Sequence, residues 1–111
     1  MAALEYDLEV EQGSTYRRTV PVLDEDGNPL DVTGWTVRGQ VRQTPLSPVV
    51  LHDLGPHLTA VGTSVELSIP GSTSSLWAWR EAVYDVELIA PSSAVTRLLQ
   101  GRVLVDPETT R

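Results

Sequence analysis

Two runs near the C-terminus, AVYDVELIA and VTRLLQGRVLVD, alternate apolar and polar residues on either side of Pro91-Ser92-Ser93. No other feature constrains the fold as much. Period-two alternation puts every second side chain on one face of an extended chain, and a short turn between two such runs folds them into an antiparallel hairpin. Tyr84, Val86 and Leu88 share one face of the first run, and Leu99, Gly101, Val103 and Val105 share one face of the second. An apolar sheet face must be covered, so the rest of the chain has to supply a second layer.

The remaining segments read as further strands. Leu4, Tyr6, Leu8 and Val10 fall on one side of the first run, and Glu5, Asp7, Glu9 and Glu11 fall on the other, giving a half-buried strand with an acidic solvent face. TYRRTVPVL groups Tyr16, Val20 and Val22, and its Pro21, having no amide hydrogen to donate, suits an edge or a bulge. DEDGNPL is a turn. WTVRGQVRQ turns Trp35, Val37, Gly39 and Val41 inward and Thr36, Arg38, Gln40 and Arg42 outward. After the prolyl loop TPLSP come the strand VVLHDL, a loop over GPHLTAVGT, and the strand VELSI. GSTSSLWAW is the one candidate helix, with Ser72 or Thr73 as cap and Leu76, Trp77 and Trp79 as its apolar side. About seven strands at ~8–15-residue spacing predict an all-β sandwich with one short helix, a single domain over residues 1–111.

Composition narrows the function. There is no cysteine, which excludes a disulfide framework or a thiolate metal site. Fifteen acids against eight bases, all of them Arg, give a net charge of −7, and such a surface repels phosphate backbones; direct nucleic-acid binding is not expected. No apolar run approaches the ~20 residues of a membrane helix, and the opening MAALEYDLEVEQG lacks the basic and apolar regions of a secretion signal, so a soluble protein is expected.

Each candidate for chemistry has a simpler reading. In DEDGN, Gly27 follows Asp24 too closely for a calcium loop, and no Glu closes the span. His52 and His57 flank Gly55-Pro56 without helical metal-ligand spacing, and read as loop histidines. Ser72, Ser74 and Ser75 lack a nucleophile-elbow setting. No catalytic, cofactor-binding or metal-ligating residue is assigned, and enzymatic activity is not expected. Trp77 and Trp79 suit either closure of one end of the sandwich or an exposed aromatic contact, the latter including a sugar-stacking platform. Tyr84, near the start of a late strand, is a candidate tyrosine corner. The interface candidates are therefore Glu5, Asp7, Glu9, Glu11, Trp77 and Trp79.

The order of several segments carries a resemblance. LEVEQGSTYRRTV, DEDGNPLDVTGWTVRGQVR and AVYDVELIAPSSAVTRLLQGRVLVDPETTR resemble a family of small bacteriophage virion proteins, related to the N-terminal domain of phage baseplate upper proteins. The matching positions are Gln12-Gly13, Asp26 to Pro29, Val32 to Trp35, Arg42, Tyr84 to Leu88 and Thr96 to Val103; residues 44–80 match loosely, and Arg80-Glu81-Ala82 stands where the family often has a glycine. The resemblance implies an Ig-like β-sandwich of antiparallel strands. It also implies a structural role in the tail, baseplate or neck of a virion, after synthesis in the host cytoplasm. Its partners would be other phage structural proteins, in multiple copies of a symmetric assembly. It supplies no catalytic residues. A capsid decoration protein, or a carbohydrate-binding module using Trp77 and Trp79, are the alternatives.

Overall fold

The computed structural model describes residues 3–110, about half of them in strands. The C-terminal hairpin forms as its alternation predicts. β8 (Glu81–Ile89) and β9 (Val95–Asp106) pair antiparallel at the middle of a six-stranded sheet, with Val86 opposite Leu99 and Ala82 opposite Val103. The register shifts beside Val86, so that Leu98 and Leu99, adjacent in sequence, are both buried. β4 (Thr36–Arg42) pairs with the other side of β8, and β5 (Val50–Asp53) with β4. Beyond β9 lie β1 (Leu4–Glu5) and β2 (Leu8–Glu11), both parallel to it. The second sheet has three strands in the order β3 (Tyr16–Pro21), β7 (Ser64–Ile69), β6 (Leu58–Val61), all antiparallel.

The two sheets share one apolar cluster. Leu8, Val10, Val41, Val86, Leu88 and Val103 come from the larger sheet, and Tyr16, Val65, Leu67 and Ile69 from the smaller. Pro21 ends an edge strand, bonded only on its β7 side, where its missing N–H costs no ladder bond. The 24–30 turn closes on a bridge between Leu23 and Pro29, and the Asp24 carboxylate accepts from the amides of Asp26 and Asn28 at 2.9 Å each. Gly27 sits there at φ 83°, the left-handed region that suits glycine.

Several expectations need correction. Nine strands are present among the described residues rather than about seven, and they are not all antiparallel, because β1 and β2 run with β9. The first alternating run is not continuous: it breaks at Tyr6–Asp7, and Leu4 is exposed rather than inward. Residues 55–63, read as a loop, hold a 3-10 turn (Gly55–His57) and β6; Leu-Thr-Ala-Val is too short and too half-buried for its alternation to stand out. The helix α1 is a single turn, Gly71–Ser74, and ends before Leu76, Trp77 and Trp79, which therefore do not form its apolar side. Glycine and serine at three of its four positions give it little intrinsic helix preference. No helix among the described residues is long and apolar enough to cross a membrane.

Candidate interaction surface

Strands with hydrogen-bonding partners on one side only mark where another chain can add. On one flank of the molecule β2 and β3, edge strands of different sheets joined by Gln12–Thr15, contribute residues to one recess. Arg18 on β3 reaches the segment just before β2. Its Nε donates to the Tyr6 hydroxyl at 2.9 Å, and its guanidinium lies 4.6 Å from the centre of the Tyr16 ring. Tyr16 is buried, with a hydroxyl that finds no hydrogen-bond partner among the described residues, and burial pushes that hydroxyl up to about 12.

The break at Tyr6–Asp7 is where this edge is pinned. Gly101 lies directly opposite Tyr84, and a Cβ on it would sit 2.4 Å from the Tyr6 carbonyl oxygen. The bare glycine lets the N-terminal segment approach, and the Tyr84 hydroxyl donates to that same oxygen at 2.6 Å. This bond spans 78 residues, so Tyr84 is not a tyrosine corner, which reaches its own backbone a few residues upstream. At the next residue the Asp7 carboxylate replaces a backbone acceptor: the Arg102 amide donates to Oδ1 and Arg102 Nη2 donates to Oδ2, both at 3.0 Å. The amide bond first, and the guanidinium second, hold the Asp7 carboxyl below the usual carboxylate range.

The four acids of this strand therefore do not form one equivalent row. Glu5 accepts from the Gln100 side chain, and Asp7 belongs to Arg102. Glu9 and Glu11 are exposed and form no ion pair among the described residues. They wall two shallow recesses, one toward β3 with Ser14, Tyr16 and Arg17, the other across β2 toward Leu104 and Asp106. Among the described residues these two of the four have no side-chain hydrogen bond or ion pair.

Trp77 and Trp79 follow α1 in the chain, stacked with ring centres 4.7 Å apart and planes 24° apart. Trp77 is buried and Trp79 is half-buried against the core, so the pair presents no open two-ring platform. The exposed apolar side chain of this segment is Leu76, 83% accessible. Sequence reasoning missed the clamp beneath. The Gln12 amide donates to the Trp77 carbonyl at 3.0 Å and accepts from the Glu108 amide at 3.0 Å, while the Gly13 amide donates to the buried Ser74 hydroxyl at 2.9 Å. Gly71 packs so tightly on Gly13 that a Cβ there would lie 2.2 Å from the Gly13 carbonyl oxygen. The only sequence signal was Gln12-Gly13 itself, an interruption between two strands.

The histidines are also placed unexpectedly. His52 belongs to β5 and His57 ends the 3-10 turn, and their Nε2 atoms meet at 2.9 Å. No group of three or more His, Asp or Glu among the described residues is arranged to hold a metal ion. Compared with known proteins, the chain matches no family model and no curated protein sequence.

Proposed function

We propose that the chain is a bacteriophage virion structural protein with an Ig-like β-sandwich fold, acting through protein–protein contacts in the tail, baseplate or neck rather than by catalysis. The observation that carries this reading is the flank where β2 and β3, edge strands of different sheets, line one recess, with Glu9 and Glu11 exposed and outside any ion pair among the described residues. Open edges accept strands or loops from neighbours, and unpaired carboxylates select a basic one. The resemblance of the Gln12-Gly13, Asp26 to Pro29 and Tyr84 to Leu88 segments to small virion proteins supports the same reading. The carbohydrate-binding alternative is weakened, because Trp77 is buried and stacked under Trp79.

Reversing two charges tests it. Glu9→Lys with Glu11→Lys leaves the melting temperature of the isolated protein nearly unchanged, since exposed charges contribute little to stability. The same pair lowers occupancy in purified phage particles, more strongly at low salt than at high salt. Full occupancy with an unchanged melt shows that this flank faces solvent in the particle. An electron-microscopy map of the particle separates a tail, baseplate or neck position from capsid decoration.

A further inference from the structure

The contact between His52 and His57 has a geometry that fixes what it can hold. The ring centres are 5.1 Å apart and the Nε2 atoms 2.9 Å, a difference of 2.2 Å. That difference is about the sum of two centre-to-nitrogen distances in imidazole. Centres, nitrogens and contact therefore fall close to one line, and with planes only 12° apart the rings meet head-on and nearly coplanar. Opposed nitrogens at this separation leave an interposed ion well short of the ~2.0–2.1 Å that a zinc–nitrogen bond requires. They do fit one proton, at the ordinary length of a hydrogen bond to nitrogen.

We propose that His52 and His57 form a single-proton clip that closes the β5–β6 crossover when neutral and releases it when both rings are protonated. In the neutral pair one imidazole carries its proton on Nε2 and donates. The other carries its proton on Nδ1 and accepts through the bare Nε2. A first added proton enters at the distant Nδ1 of the donor ring and leaves the bridge intact. A second has only the bridging nitrogen to take, so two N–H groups and two positive charges then face each other and the contact is lost.

The surroundings favour the closed form. Both rings are half-buried, and burial, the largest effect on each, holds them below the ordinary value of 6.5. Asp53 is the charged group that acts against this on both rings, and its Oδ1 is engaged by the Gly55 amide at 2.9 Å. From β4, Val41 lies opposite His52, while Arg42 is committed to the Ser47 carbonyl and the Gln40 side chain. On β7 the one charged residue, Glu66, is exposed between the buried Val65 and Leu67, and β6 carries no charge. Trp77 also packs on this site, meeting His52 edge-on at 5.2 Å between ring centres. The sign follows from linkage: with both values depressed, the unfolded chain binds more protons just below pH 6.5. The clip's contribution to stability is thus complete above that pH and falls away as the solution is acidified through the folded values.

Nitrogen-15 NMR of the imidazoles in the whole protein tests this. At pH 7.5 the two rings are expected in opposite tautomers, one with its proton on Nε2 and the other on Nδ1, and both titrate below 6.5. In His57→Gln, the His52 midpoint moves upward and its tautomer preference relaxes. Two rings in the same tautomer at neutral pH overturn the proposal, as does a His52 titration unmoved in the variant. If the variant does not fold, the tautomers of the unaltered protein decide alone.

Discussion

Leu88 offers the sharpest test of the core. It is 1% accessible and lies on β8, in register with Val37 of β4 on one side and Thr96 of β9 on the other. Leu88→Ala removes roughly three carbons from burial, which at ~0.8 kcal/mol each is about 2.4 kcal/mol of lost transfer free energy. A cavity cost is added to the extent that the surroundings fail to close on the gap. With strands bonded on both sides, β8 has little freedom to sink inward, so the total is expected at ~3–4 kcal/mol, within the usual range for a buried Leu. The assay is urea unfolding followed by tryptophan fluorescence, where the midpoint falls while the slope is unchanged. Leu76→Ala, at a site 83% accessible, is the control and changes stability by less than ~0.5 kcal/mol. A loss below ~0.5 kcal/mol for Leu88→Ala would refute the reasoning, because Leu88 would then not face the apolar cluster.

Two further outcomes probe the pinned edge. Gly101→Val places a side chain where the Tyr6 carbonyl now lies, so hydrogen exchange should speed up across residues 4–11 while the amides joining β4 to β8 stay protected; uniform protection in the variant would show that the N-terminal segment tolerates the bulk. Asp7→Asn keeps the shape but loses the charge facing Arg102. Because the Asp7 carboxyl is depressed below its ordinary 3.8, the stability it adds is present above that pH and is lost as pH falls through its folded value. The two proteins should therefore differ in acid unfolding at pH 5 and converge toward pH 2; parallel curves throughout would remove the ion pair from the account.

The strands that carry the fold were legible wherever alternation ran for several residues. AVYDVELIA, VTRLLQGRVLVD and TVRGQVR fell into strands with the expected alternation, broken only where the register shift buries Leu98 beside Leu99, while Trp35 lies just before its strand. Leu58–Val61 was not legible, since four half-buried residues carry no contrast to read. The parallel pairing of β2 with β9 was hidden for a different reason: alternation shows which face is buried but is silent on which strand lies alongside. Of the interface candidates, the sequence could place Glu5, Asp7, Glu9 and Glu11 together but could not show that Gln100 and Arg102 engage the first two. His52 and His57 looked unrelated because the five-residue interval makes sense only once a 3-10 turn folds it back.

The parallel ladder along β9 also sets an order of events. Leu4 pairs with Leu99 and Val10 with Val105, a separation of 95 residues in each case (99 − 4 and 105 − 10). Each of these strands therefore waits for a partner made 95 residues later before it finds its place. Contacts so distant in sequence form slowly, because the intervening chain must first be brought into a loop. In the interval the outer edge of β9 lies open along its length, and the Leu8–Glu11 strand of a second copy, identical to the one still missing, carries the same side chains to fill it. At high concentrations of newly made chain, a strand left undocked in this way is the element open to exchange between copies.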